Sequence, residues 1–515
     1  MTENCDSMRM LEDIDRMANA VSVTFGPKGR NVLVENNKGA PFIMNKGALI
    51  LKEITGPDSD GAAVLKLCSE AALKVQDEAG DGTTTALLLI QGIVREGVKN
   101  ITAGANPVFL ARSVSRAAGI AAGALREMAR PVANKEELLQ IASLISGDDE
   151  TGALVADAVF RTGEYGAVMI EEAHGLESSM EAVEGMRIDR GYISPQMATN
   201  EASMEAVLED AFVLLTDFSV SNPRDLLPVL EGTIQEDKCM LIIANEVESE
   251  ALSVLLTNKV RGTLLTVSIR APEFSDRRKA AIRDIAVFTG GSVISKDIGL
   301  ELKDARVEHL GIAKKIIVKK DTTTIIGGGG DPVLIKKRLS ELKHHIENAE
   351  SGFDKSKLLD RYNKLSGMAV ILRIGGATRT ELHLKRARAE GALKAVKAAM
   401  SGGCVPGGGV AYLRAAEAVR KNAALLKGDD CLGALILAAA LEAPVKIIAE
   451  NAGLPGSVIR NKTRESQMPN WGYDVLGGKY CDMFETGIID PLPVSLTALE
   501  CAVSCAATLL TANHR

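Results

Sequence analysis

The sequence predicts a multidomain protein of the α+β class, in which a largely helical domain is built from both chain ends around an inserted α/β domain. The length of 515 residues exceeds what one compact domain usually holds. The composition, with 46% apolar and 25% charged residues, is typical of a folded globular chain. Long alanine- and leucine-rich segments occupy both ends, whereas short β-branched runs fill the middle.

The amino-terminal part has the pattern of a series of helices. Apolar residues recur at three- and four-residue spacing over residues 8–25, and Gly26-Pro27 ends that pattern. Two short strands are expected at 31–35 and 41–44. Further helices are expected at 60–79, 84–100, 107–129 and 135–145.

The pattern of apolar residues changes near residue 167. From there to about residue 325, β-branched runs such as AVMIEE, AFVLLTD and CMLIIANEV alternate with helical segments, which is typical of βαβ units. Because both ends of the chain consist mainly of alanine- and leucine-rich helical segments, they are expected to form one domain around the insertion. The later helices are expected at 331–350, 353–366, 379–399, 408–425, 431–450 and 491–511.

Charge and targeting patterns exclude several classes of protein. The net charge of −7 provides no basic field, so neither nucleic acid nor a membrane surface is expected as a partner. The longest apolar run, Cys431 to Leu441, is far shorter than the roughly 20 residues of a membrane span. The first ten residues lack the apolar stretch of a signal peptide. Scattered cysteines without a CxxC pair favour reduced thiols and a cytoplasmic location.

The strongest local signal is AGDGTTT at residues 79–85, directly before an apolar helix. Glycines permit a tight turn, and the following helix starts with free N–H groups that attract phosphate. Asp81 provides a carboxylate that can hold Mg²⁺ beside the phosphates. A plain glycine turn with threonine caps explains the same residues, and no lysine follows the glycines as in a Walker motif.

Other segments keep two interpretations open. The loop TFGPKGRN at residues 24–31 is either a second nucleotide loop or a plain turn that ends the first helix. In the middle region, leucines crowd two predicted helices, around residues 226–230 and 252–256. These leucines form either ordinary core or an apolar groove that is open to partners.

Taken together, the loops TFGPKGRNV, AGDGTTT, RGYISP, PEFSDRRKA, DTTTII, PGGGVA and GIIDP occur in the order and approximate spacing found in one family. Over nearly its whole length, the chain resembles the group I chaperonins, the GroEL family. It is similar to a divergent paralogue within that family. The resemblance implies an equatorial ATP-binding domain, a small intermediate hinge domain and an inserted α/β apical domain that binds substrate. These domains are expected at 1–128 with 402–515, at 129–185 with 370–401, and at 186–369.

The resemblance also implies partners and cofactors. A chaperonin of this kind binds ATP and Mg²⁺, takes unfolded or partly folded polypeptides, and in many cases binds a co-chaperonin lid. It forms a homo-oligomeric ring or a mixed ring with a related subunit. The strands that join subunits at the two chain ends are expected to be missing from this sequence, so the ring is expected to be weak.

Family site residues are carried over position by position. Asp81 matches the magnesium ligand. The matched nucleotide-binding residues are Thr24, Phe25, Gly26, Pro27, Asp81, Gly82, Thr83, Thr84, Thr85, Ile145, Ser146, Gly407, Gly408 and Asp490. The matched substrate-binding residues are Tyr192, Leu227, Leu230, Leu252 and Leu256.

Two departures from the family pattern concern hydrolysis. The family's catalytic Asp on the intermediate helix is replaced by Gly391, and a second acid is replaced by Lys46. Glu390 is no simple substitute, because one helical step rotates a side chain by about 100°. No catalytic residue is therefore assigned. The resemblance implies an ATP-driven foldase, whereas these replacements favour an ATP-binding holdase or regulatory paralogue with slow hydrolysis.

Overall fold

The computed structural model describes residues 2–34, 42–54, 62–132, 134–163, 166–173, 175–200, 204–349 and 351–512. The helices are α1 (Thr2–Ser22), α2 (Gly47–Ile54), α3 (Ala62–Ala79), α4 (Thr83–Thr102), α5 (Pro107–Met128), α6 (Lys135–Ser146), α7 (Asp149–Thr162), α8 (Leu227–Gln235), α9 (Ser249–Val260), α10 (Ser275–Thr289), α11 (Pro332–Glu347), α12 (Gly352–Ser366), α13 (Arg379–Gly402), α14 (Val410–Ala423), α15 (Asp429–Ala440), α16 (Ala443–Asn451), α17 (Gly456–Glu465) and α18 (Leu492–Thr511).

The strands are short at the two ends of the chain and longer in the middle. They are β1 (Val32–Val34), β2 (Phe42–Met44), β3 (Ala167–Glu172), β4 (Ser179–Ile188), β5 (Ala206–Thr216), β6 (Ser219–Val220), β7 (Cys239–Ala244), β8 (Glu246–Val247), β9 (Thr266–Arg270), β10 (Val293–Ile294), β11 (Gly311–Val318), β12 (Thr323–Gly328), β13 (Met368–Ile374), β14 (Cys404–Pro406), β15 (Trp471–Asp474), β16 (Lys479–Asp482) and β17 (Ile489–Pro491).

The chain divides into two compact units. The first unit contains Met1–Phe160, Glu172–Ser178 and Ile374–Arg515, and the second contains Arg161–Glu171 and Ser179–Arg373. With 58% helix and 18% strand, the multidomain α+β prediction is confirmed. The finer division into equatorial, intermediate and apical domains stays a prediction. The chain-end strands expected to be missing fall partly on residue 1 and residues 513–515, which lie outside the described residues.

Helices of the first unit pack unusually closely, because small residues stand where they cross. A Cβ atom on Gly433 of α15 would lie 2.5 Å from Ser113 Cβ of α5, and one on Gly92 of α4 would lie 2.9 Å from Ala440 Cβ. The shared core contains residues of α1 to α5, α14, α15 and α18. Such close approach explains how a chain with only 3% aromatic residues fills its core.

The second unit is built on a mixed nine-stranded sheet within the described residues. Its order is β3-β13-β4-β12-β11-β5-β7-β9, and β10 also pairs with β5. The pairs of β5 with β7 and β10 and of β7 with β9 are parallel. The βαβ prediction is therefore confirmed for that half, whereas β11, β12, β4 and β13 are antiparallel.

The central strands explain the continuous apolar runs of the middle region. Successive β5 residues alternate between two cores, with Val213 in one and Leu214 in the other. Because both faces of the strand are covered, β5 is buried without interruption from Ala211 to Thr216.

One predicted helix is divided into two in the structure. A single helix over 431–450 is wrong, because α15 ends at Ala440 and α16 begins at Ala443. Pro444 lies in the first turn of α16, where its missing N–H needs no partner and its ring stops the preceding helix from continuing.

By length and composition alone, three helical segments among the described residues suffice to cross a membrane, namely Pro107–Met128, Asp429–Asn451 and Leu492–Thr511. The prediction that no segment reaches this length is therefore wrong. The reason is that a helix of mixed composition reaches sufficient mean hydropathy without one continuous apolar run. In the structure, all three segments contribute residues to the core of the first unit.

We expect Gly433→Ala to lower the free energy of unfolding by about 1–3 kcal/mol, because the new methyl group would enter a filled helix crossing. Chemical denaturation followed by circular dichroism measures the change. Gly119→Ala is the matched control, since a Cβ atom there has nothing within 4 Å. That substitution should be neutral or stabilise by about 0.5–1 kcal/mol. Equal effects of the two substitutions would contradict the packing argument.

Candidate nucleotide-binding site

The loop before α4 has a backbone that only glycine adopts easily. Gly80 and Gly82 have φ angles of 84° and 98°. A Cβ atom on Gly80 would lie 2.5 Å from the carbonyl oxygen of Gly391 and 2.8 Å from the amide nitrogen of Ala395, both in α13. Gln76 Nε2 donates to the carbonyl oxygen of Gly80 at 2.7 Å and holds the turn. The loop therefore lies directly against α13.

The first turn of α4 is arranged to receive an acceptor. Gly82 occupies the N-cap position and provides no side chain to cap the helix, so the interpretation of the threonines as caps is wrong. The Thr83 side chain is almost completely buried, and its Oγ1 has no hydrogen-bond partner in the described part of the chain. A buried hydroxyl without a partner costs about 1–3 kcal/mol, which makes it a candidate ligand group.

Three ionisable side chains share this region, which we call the α4 cleft and define by Lys46, Asp81, Thr83, Gly391 and Asp490. Asp81 is exposed to solvent, yet protein atoms surround it densely, so it lines an open cleft and does not belong to the core. This dense surrounding raises the pKa of Asp81, and the charge of Lys46 acts in the opposite direction. Burial, together with the charge of Asp81, raises the pKa of Asp490 to about 7.

Lys46 reaches the cleft from the segment that follows β2. Its Nζ donates to the carbonyl oxygen of Ala387 in α13 at 3.3 Å. Next to it, Arg388 Nη2 donates to Asn45 Oδ1 at 2.9 Å. Burial lowers the pKa of Lys46, and the charge of Asp81 opposes this shift. These contacts fasten α13 to the segment before α2.

Two carboxylates that could take over the role of the missing acid, Glu390 and Asp148, have hydrogen-bond partners in the structure. Glu390 Oε1 accepts from Arg386 Nε at 2.9 Å. Asp148 Oδ2 accepts from the amide of Thr151 at 3.0 Å and from its hydroxyl, and these bonds lower the pKa of Asp148. Both carboxylates are therefore already engaged in the folded chain.

The structure joins several other predicted residues to the cleft. Asp490 pairs with Val405 across the two-stranded sheet of β14 and β17, and the amide of Gly407 donates to the carbonyl of Ile488 at 2.8 Å. This sheet therefore places the Gly407-Gly408 loop beside Asp490. Ile145 packs against Ala79, directly before the glycine turn.

The first loop is anchored by a residue that the sequence does not reveal. Asn451 Nδ2 donates to the carbonyl oxygens of Ser22 at 2.7 Å and Phe25 at 2.9 Å, which fixes the turn after α1. Gly26 has a φ of 84°, and Thr24 Oγ1 donates to the carbonyl oxygen of Val21 at 2.8 Å. The turn is therefore a helix end as well as a candidate nucleotide loop.

The predicted substrate residues have different environments. Leu230 and Tyr192 are buried, at 4% and 8% exposure, and do not present their side chains to a partner in this structure. Leu227 is 46% exposed at the start of α8. Leu252 and Leu256 of α9 are partly buried against the core of the second unit. Most of the crowded leucines are core, and Leu227 is the clear exception among the predicted substrate residues.

The α4 cleft fits a nucleotide phosphate with a divalent cation. The orphaned Thr83 hydroxyl and the uncapped start of α4 offer donors, and Asp81 offers a carboxylate whose pKa is raised by burial. Within the described ranges, no group of three His, Cys, Asp or Glu side chains is placed to hold a metal. A cation at Asp81 therefore needs phosphate oxygens and water as its other ligands.

The fold and this cleft define a chaperonin. The chain belongs to the TCP-1/cpn60 chaperonin family, because the sequence model of this family matches residues 17–514. Proteins of this family assist protein folding, bind ATP with Mg²⁺ and form rings that take unfolded polypeptides. Because the family includes both TCP-1 and cpn60 proteins, the narrower assignment to group I stays a prediction.

We expect Asp490→Asn to stabilise the protein above pH 7 and to leave it unchanged below about pH 4. The folded state holds a proton on Asp490 up to a pKa of about 7, whereas an ordinary Asp releases it near 3.8. The free energy of unfolding of the parent therefore falls as pH rises through this window, and Asn removes the loss.

Urea denaturation midpoints at pH 4, 6 and 8 measure the difference between Asp490→Asn and the parent. Asp77→Asn, on an exposed position of α3, is the control and should follow the parent at each pH. Parallel pH profiles of Asp490→Asn and the parent would contradict the assignment.

Proposed function

We propose that this protein is a chaperonin subunit that binds ATP and Mg²⁺ in the α4 cleft. The observation that carries the proposal is the buried, partnerless Thr83 hydroxyl at the uncapped start of α4. Helix N-termini favour anions, because their N–H groups and dipole present positive charge. Thr84 and Thr85 extend this cradle, and Asp490 lies on its far side with the Gly407-Gly408 loop.

Bound Mg²⁺ would supply positive charge between Asp81 and the phosphates. The chain's own residues do the remaining work. The turn at Gly80 and Gly82 brings the first amides of α4 to the phosphates, and Asn451 holds the Thr24–Pro27 loop in place. Ile145 packs against the residues that precede the turn. The resemblance implies that Ile145 and the adjacent Ser146 contact the nucleotide.

Polypeptide binding is proposed for the second unit, through α8 and α9. Leu227 is exposed there, and Leu252 and Leu256 keep part of their apolar surface accessible. Exposed apolar side chains on neighbouring helices suit unfolded segments, which offer apolar groups without a fixed shape. A ring of identical or related subunits in the cytoplasm, with or without a co-chaperonin lid, completes the proposal.

The second candidate is a holdase or regulatory paralogue that binds ATP and hydrolyses it slowly. The absence of a side chain at Gly391 and the cation at Lys46 favour it, because both stand where the family carries acids. A water molecule at the terminal phosphate is a poor nucleophile until a carboxylate accepts or orients its proton. Glu390 and Asp148 are occupied by Arg386 and Thr151, so they do not compensate.

We expect the parent to bind ATP in calorimetry and Mg²⁺ to tighten that binding. In Asp81→Ala the effect of Mg²⁺ should disappear, because the carboxylate ligand is gone. Thr83→Val should weaken binding by about tenfold without lowering stability, since it removes a hydroxyl that has no partner in the folded chain. Thr102→Val at the other end of α4 is the control. If Asp81→Ala kept the full effect of Mg²⁺, the metal assignment would be wrong.

We expect phosphate release by the parent to be slow and the double substitution Gly391→Asp with Lys46→Asp to raise it at least about tenfold, equal to about 1.4 kcal/mol of barrier. Gly391→Asp alone should not suffice, because its Cβ atom would lie 2.9 Å from Lys46 Nζ. A phosphate-release assay on the three proteins decides the matter. Rapid release by the unmodified protein would restore the active foldase.

A further inference from the structure

Lys46 and Gly391 are distant in sequence and touch in the structure. A Cβ atom on Gly391 would lie 2.9 Å from Lys46 Nζ, 2.9 Å from the carbonyl oxygen of Gly80 and 3.3 Å from Gln76 Nε2. Side-chain carbons do not approach other atoms this closely without displacing them. The ammonium group of Lys46 therefore fills the room that any side chain at position 391 would need, and the two residues form one packing arrangement.

The position of this ammonium group is fixed from two sides. On the α13 side, Lys46 Nζ donates to the carbonyl oxygen of Ala387 at 3.3 Å. On the α4 side, a Cβ atom on Gly47 would lie 2.6 Å from Thr84 Oγ1, so the backbone that follows Lys46 lies against the first turn of α4. The lysine thus spans the gap between α13 and the phosphate-binding end of α4.

Charges of both signs act on Lys46 in the cleft. Asp81 and Glu390 attract the ammonium, and Arg388 repels it. Glu390 is paired with Arg386, and Asp81 faces the second carboxylate of Asp490. Opposite Lys46, the start of α4 and the Thr83 hydroxyl offer further donors. Donors on two walls of one cleft suit a ligand with several negatively charged oxygens.

We propose that Lys46 recognises the terminal phosphate of the bound nucleotide and that Gly391 is the residue that makes room for it. This inference rests on the proposed ATP site. In that site the phosphates lie at the glycine turn before α4, and Lys46 Nζ lies beside this turn, where a side chain on Gly391 would begin. An ammonium group there binds the terminal phosphate as a point charge, so the site prefers a nucleoside triphosphate to a diphosphate.

The test compares the affinities for ADP and for a non-hydrolysable ATP analogue by calorimetry, in one buffer that contains Mg²⁺. The parent should bind the analogue at least about tenfold more tightly than ADP, as expected for one charge-assisted contact. Lys46→Met keeps the apolar stem without the charge, and it should reduce this preference to less than about threefold. The matched control is Lys394→Met, because Lys394 is an exposed lysine of α13 that donates to the carbonyl oxygen of Asp77 at 3.2 Å.

Gly391→Ala provides a second test with Lys46 intact. Its methyl group would press on Lys46 Nζ and on the carbonyl oxygen of Gly80, each 2.9 Å away, and it should lower the preference for the triphosphate at least as much as Lys46→Met does. Thermal unfolding of each variant verifies that it folds. An unchanged preference in Lys46→Met overturns this inference and leaves the ATP site intact. Failure of the parent to bind either nucleotide overturns the proposed function itself.

Discussion

The close approach of α13 to the glycine turn before α4 is the constraint on which the rest of the α4 cleft depends. With Gly80 at a φ of 84° and no side chain at Gly391, the two backbones meet at a distance that a methyl group would prevent. This contact places the first turn of α4 and Lys46 on facing walls. Protein atoms surround Asp81 densely there, and this burial raises the pKa of Asp81.

The electrostatics of the cleft follow from that geometry. Two carboxylates, Asp81 and Asp490, interact in the cleft, and the pKa of Asp490 rises to about 7 as a result of burial and of the charge of Asp81. Lys46 compensates part of this negative charge. An isolated site of this kind is strained by repulsion, which a cation with phosphate oxygens relieves. Folding stability and ligand affinity are therefore linked through the same groups.

Gly391 and Lys46, which the resemblance places where the family carries acids, are better explained together than separately. A glycine in the middle of α13 costs about 1 kcal/mol of helix stability relative to alanine. Considered alone, Gly391 indicates only the loss of a catalytic side chain. From the sequence alone, Lys46 would be interpreted as an ordinary surface charge. Their contact shows that the glycine has a steric role, since it leaves space for the ammonium group. Under the proposed function, a cleft arranged in this way would favour ground-state binding over assistance to an attacking water.

The sequence by itself determined the α+β class, most helix positions, the AGDGTTT turn and the two replaced acids, because these features follow from local backbone preferences and from residue patterns along the chain. It did not determine the break between α15 and α16, the burial of Leu230, or the anchoring of the first loop by Asn451. Nor did it reveal that Lys46 fills the space at Gly391. Such contacts join segments far apart in the chain, and only the tertiary packing decides which side chains meet, as where α13 approaches the glycine turn before α4.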